Sequence, residues 1–176
     1  EVIGLPGLWL DLDVAGNAHK KPGLPPTRED ALAWVAGLDM PPTLIVDSGH
    51  GYQLWWLFTQ PWLFDAGASE AESLSHAWHN HMAANLRGKG WICDSTWDLA
   101  RILRVPGTTN NKEPEHPAPV TLVDASGPRY SPSELRDVVG AAPMVPGPAS
   151  EPAAPTLVLR ADGWPPGQKL QAMLDQ

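Results

Sequence analysis

The run Leu8-Trp9-Leu10-Asp11-Leu12-Asp13 alternates leucine with a second series that ends in two aspartates. No other stretch constrains the fold as strongly. Strand side chains point alternately to opposite faces, so Leu8, Leu10 and Leu12 share one face and Asp11 and Asp13 the other. A strand of this kind belongs to a sheet with one buried face. On the other face, two neighbouring carboxylates repel each other. A wet outer surface tolerates that pair. A hard divalent cation such as Mg²⁺ or Mn²⁺ uses it, because such ions take carboxylate oxygens as ligands.

The rest of the chain supplies partners for this strand. Residues 14–26 (VAGNAHKKPGLPP) read as a loop. Thr27 is an N-cap followed by acidic Glu29 and Asp30, and the helix they open ends across Gly37 to Pro42. Residues 43–47 form a second strand, Ser48-Gly49-His50-Gly51 a turn, and residues 52–58 a third strand. Residues 65–87 form a long helix, with Leu74, Ala77, Trp78, Met82 and Leu86 near helical spacing. Residues 100–105 (ARILRV) are expected as a fourth strand, stopped by Pro106-Gly107. A further strand over 119–123 and a short helix over 132–139 follow. This order predicts an α+β fold of the ferredoxin-like, or RNA-recognition-motif-like, β-α-β-β-α-β type, with helices on one sheet face and the other face open. Tyr52, Leu54, Trp56 and Phe58 are then expected beneath the helices, and Gln53, Trp55 and Leu57 on the open side with Asp11 and Asp13. From about residue 141 the chain becomes Pro/Ala-rich (AAPMVPGPASEPAAP). The expected organisation is therefore a domain over 1–140 and a linker with a C-terminal segment over 141–176.

Composition narrows the function classes. The 176 residues, 43% hydrophobic, suit one soluble domain with a tail. No apolar run is long enough for a membrane span, and no secretory signal is visible. Opening on Glu1, the chain reads as an excised or processed piece. The single Cys93 excludes an internal disulfide and fits a reducing cytoplasm. A net charge of −8 argues mildly against a stand-alone nucleic-acid binder. Residues 87–112 nevertheless gather Arg87, Lys89, Arg101, Arg104 and Lys112 against Asp94 and Asp98, a local basic patch on an acidic body. The nine tryptophans are expected mainly in the core and its rim.

Four groups of residues bear chemistry. Asp11 and Asp13 need a third acid, Asp94 or Asp98, to hold the two divalent cations that clamp a phosphoryl transfer; the plainer role for Asp98 is an ion pair with Arg101. Ser48-Gly49-His50-Gly51 with Gln53 either cradles an anion or is an ordinary hairpin turn. Arg101 and Arg104 in an apolar stretch either meet phosphates or pair with Asp94, Asp98 or Glu113. His76, His79 and His81 suggest zinc by proximity, but no fourth ligand has suitable spacing, and exposed helix histidines account for them.

In chain order, LWLDLD, SGHGYQLWW and CDSTWDLARILRVPGTTNNK resemble the motifs of the archaeo-eukaryotic primase superfamily, in particular the primase-polymerase domains of plasmids, phages and mobile elements. The resemblance covers roughly residues 5–125. It implies that Asp11, Asp13 and Asp94 hold two Mg²⁺ or Mn²⁺ ions. It implies nucleotide contacts from Ser48, Gly49, His50, Gly51, Gln53, Arg101, Arg104 and Lys112. Gln53 stands where the family carries a histidine, and glutamine keeps a donor without a charge. The implied activity is that of a cytoplasmic DNA primase or polymerase, joining nucleoside triphosphates on a single-stranded DNA template beside a helicase or helical accessory domain. Two other readings compete: a non-catalytic nucleic-acid-binding or replication-initiation module of the same fold, and a metal-dependent nickase in which Tyr52 or Tyr130 approaches the histidines of the long helix.

Overall fold

The computed structural model describes residues 2–16, 19, 21–64 and 67–140; the expected linker and C-terminal segment, 141–176, lie outside them. Nine elements follow one another: β1 (Gly4–Asp13), α1 (Arg28–Ala36), β2 (Leu44–Asp47), β3 (Gly51–Leu63), α2 (Ser69–Arg87), β4 (Thr109–Asn110), β5 (Ala118–Pro119), β6 (Thr121–Asp124) and α3 (Pro132–Gly140). The main sheet runs β1-β3-β2-β6 with every neighbouring pair antiparallel, and β4 pairs with β5 separately. Because β1 and β2 both run against β3, they are parallel to each other with β3 between them.

The alternation in β1 is realised. Leu8, Leu10 and Leu12 stand opposite Trp56, Leu54 and Tyr52 of β3 and are buried with them. Trp34 of α1 and Trp78, Met82 and Leu86 of α2 join the same core. Trp56 and Trp78 meet edge to face, ring centroids 4.9 Å apart, the favoured geometry for an aromatic pair. Thr27 caps α1 by accepting the Asp30 N–H at 3.1 Å. The Trp34 indole donates to Asn85 Oδ1 at 2.8 Å, tying α1 to α2.

Two expectations are corrected. No strand forms over 100–105; that segment is irregular, and the last strand of the sheet, β6, joins the outer edge of β2. An apolar run flanked by Arg101 and Arg104 and stopped by Pro106 lacks the alternation that would seat it against β1. Nor is the second sheet face open throughout. Trp9, Val46 and Gln53 on that face are buried. The segment crossing them is fastened by the Trp9 indole, which donates to the Thr96 carbonyl at 2.6 Å. No helix among the described residues is long and apolar enough to cross a membrane.

Candidate active site

Asp11 and Asp13 lie on the sheet face away from the helices, in register with Gln53 and Gly51 of β3. Gly51 is required here by close approach. A Cβ at this position would sit 2.3 Å from the Leu12 carbonyl oxygen. Asp11 accepts no protein hydrogen bond among the described residues. Burial and then the neighbouring charge of Asp13 push its carboxyl up to about 6, with Arg104 and Arg101 pulling the other way. Asp13 is engaged: His19 Nε2 lies 3.1 Å from its Oδ1, and Lys112 Nζ stands 3.2 Å from the same imidazole nitrogen. Burial lowers the pKa of His19, which favours the neutral ring.

The third acid is not drawn in. Asp94 sits at an exposed position with its carboxylate 2.8 Å from Lys21 Nζ, and Asp98 pairs with Arg101 at 2.6 Å. Among the described residues no group of three His, Cys, Asp or Glu side chains is arranged to hold a metal ion. The β1 pair nevertheless suits a hard cation. It offers two carboxylates that repel each other, and Mg²⁺ is commonly held by one or two carboxylates with substrate phosphates completing its shell.

The turn before β3 is occupied with its own structure. Ser48 N–H donates to the Gly51 carbonyl at 2.9 Å, and Gly49 N–H to Asp47 Oδ1 at 2.7 Å. Gly49 adopts φ +93°, which favours glycine, and the Asn110 amide braces the turn by donating to the Ser48 carbonyl at 2.6 Å. Those two N–H groups are therefore not free for an anion. His50 Nε2 is shielded from solvent and has no hydrogen-bond partner among the described residues. Its ring meets His19 at 6.3 Å, and both line a cavity of about 240 Å³ with Arg28 and Glu113.

Gln53 is buried beneath the crossing segment, 1% exposed. Its Oε1 accepts the Arg104 backbone N–H at 3.1 Å, which brings the arginine's segment over the sheet beside Asp11. Gln53→Leu removes that acceptor. Hydrogen exchange at the Arg104 amide should then quicken by about fivefold or more, while amides of the β1–β3 ladder keep their protection. Unchanged exchange at Arg104 would refute this fastening.

The geometry brings Asp11, Asp13, Gln53, Arg101 and Arg104 to one region and leaves Asp94 tied to Lys21. It also places residues that the motifs do not single out. His19 and Lys21 come from the loop after β1, whose basic character (AGNAHKK) was the available signal. Arg28 at the start of α1 pairs with Asp47 and lies 4.9 Å over the Tyr52 ring. Neither tyrosine reaches the α2 histidines by a hydrogen bond: the Tyr130 hydroxyl donates to the Pro41 carbonyl at 2.6 Å, and Tyr52 is buried on the helix side.

No family model and no curated protein matches the sequence. Among solved structures, the chain is similar to the AEP domain of the cyanophage S-2L primase-polymerase (PrimPol), with a TM-score of 0.53 and 16% sequence identity. The match covers 79% of this chain and 62% of that one, so the chain spans less than two thirds of the domain it resembles. At this identity the likeness is one of fold.

Proposed function

We propose that this domain is a DNA-dependent nucleotidyltransferase, a primase, a polymerase or both, acting on a single-stranded DNA template in the replication of a plasmid, phage or mobile element. The observation that carries the reading is the Asp11–Asp13 pair: two carboxylates side by side on a sheet face, one of them without a hydrogen-bond partner among the described residues and pushed up to about 6. Such a pair gains by holding a cation. The similarity of fold to a primase-polymerase domain supports the same reading.

Asp11 and Asp13 are the proposed ligands of Mg²⁺ or Mn²⁺, with Asp94 as the third acid. Asp94 joins them by giving up Lys21, an exposed ion pair that solvent and salt screen. Bound in this site, two such ions would supply charge stabilisation to the triphosphate and acidify the attacking hydroxyl. Arg101, Arg104 and Lys112 supply cations for the phosphates, and His50 supplies a ring nitrogen that has no partner among the described residues. Gln53 positions Arg104 through its backbone. A helicase or helical accessory domain is the proposed working partner.

Two observations favour a second reading, a nucleic-acid-binding module without catalysis. Gln53 is used as a buried backbone acceptor, and no three-acid cluster stands assembled among the described residues. Primer extension on single-stranded template DNA, with Mn²⁺ or Mg²⁺ against a chelator, separates the two. Incorporation that needs the cation is the expected result. DNA binding without incorporation under any cation would establish the second reading instead.

A further inference from the structure

The irregular segment from Asp94 to Gly107 has no strand partner, yet it is fastened along its length. The Trp9 indole holds the Thr96 carbonyl, the Ser75 hydroxyl donates to the Trp97 carbonyl at 2.7 Å, and Gln53 holds the Arg104 N–H. Leu103 packs inward against the core. Its neighbours on both sides are turned out: Ile102 is 92% exposed and Val105 63% exposed, with Arg101 and Arg104 exposed alongside. A single exposed aliphatic side chain is ordinary. Two of them, interleaved with two arginines on a fastened ridge, form a surface of mixed character. Both arginines act electrostatically on Asp11, so the ridge stands beside the acid pair.

We infer that this ridge is the surface on which single-stranded DNA lies, with Ile102 and Val105 against the bases and Arg101 and Arg104 toward the phosphates. Charge complementarity favours that occupant: on a chain of net charge −8, residues 101–112 carry Arg101, Arg104 and Lys112 and no acid, and Arg101 reaches a phosphate by leaving its pair with Asp98. Proteins that hold single strands combine cations along the backbone with apolar or aromatic contacts to base faces, and aliphatic side chains serve as wedges between bases. The choice of DNA rests on the nucleotidyl-transfer reading; the binding does not require catalysis.

The test is fluorescence anisotropy of a labelled oligo-dT with the full chain. Ile102→Ser/Val105→Ser changes only exposed side chains, and circular dichroism checks that it folds. The double variant should weaken binding about tenfold with an unchanged dependence on salt. Arg104→Ala should weaken binding and reduce the salt slope by about 0.7. Failure of the native chain to bind oligo-dT, or native affinity in the double variant, would overturn the ridge. Because the readout is binding, a chain that binds through the ridge but never extends a primer refutes the enzymatic reading and leaves the ridge standing.

Discussion

Asp11→Asn should stabilise the metal-free protein at pH 8 and at the same time abolish cation-dependent nucleotide transfer. The carboxyl of Asp11 is held up to about 6 in the fold against a reference of 3.8. Between these values the folded chain keeps a proton that the unfolded chain has already released. Stability is therefore fully present below about pH 4 and falls as pH rises through 6. By pH 8 the ionised carboxylate costs on the order of 2–3 kcal/mol, which asparagine, neutral at every pH, does not incur. On the proposed reading, a divalent cation should offset the same cost in the native protein by binding the folded state. Urea unfolding at pH 5 and pH 8, with and without MgCl₂, checks this. The native chain should lose stability between the two pH values and regain it with the cation, and the variant should do neither. Primer extension by the variant should fall by about a hundredfold or more. A variant less stable than the native chain at pH 8 without cation would contradict the burial argument. A variant that still responds to Mg²⁺ would place the cation elsewhere.

Gly51→Ala should be the most damaging small substitution near the site. The added methyl would meet the Leu12 carbonyl oxygen at 2.3 Å and the Asp13 Cα at 2.9 Å, both backbone atoms that no rotamer change can move. Strands β1 and β3 must separate at the point where Asp13 is presented. Overpacking of this kind costs about 3 kcal/mol, equivalent to a fall in Tm of roughly 6–12 °C for a domain of this size. Gly16→Ala is the control, since nothing lies within 4 Å of a Cβ there. A thermal melt of Gly51→Ala within a degree or two of native would show that the strands have room to spare.

Strong periodicity made part of this molecule legible. The leucine–aspartate alternation identified both faces of β1, and the parity of Tyr52, Leu54, Trp56 and Phe58 identified the buried face of β3. The Thr27 cap and the spacing of Leu74, Trp78, Met82 and Leu86 located α1 and α2. Segment 100–105 was illegible because its order comes from elsewhere. Indole and hydroxyl donors and the Gln53 amide, remote in sequence, hold it in place, and no local pattern encodes them. The same holds for His19, which reaches Asp13 from a loop, and for Lys21, whose hold on Asp94 depends on where that loop folds back. The acid pair was readable from one strand; its surroundings required the tertiary fold.

Among the described residues β1 is paired on one side only, with β3, in a register that sets Leu10 against Leu54 and Asp11 against Gln53. Side chains alternate with a period of two, so a slip by a single residue would exchange the two rows completely. Asp11 and Asp13 would be driven among the packed rings and aliphatic chains beneath the helices, and Leu10 and Leu12 would be left under the arginines. The penalty for burying two unpaired charges rejects that alternative during folding. The hydrophobic core thus acts as a proofreader for the chemistry: a chain that has packed correctly has, by the same act, aimed its acids.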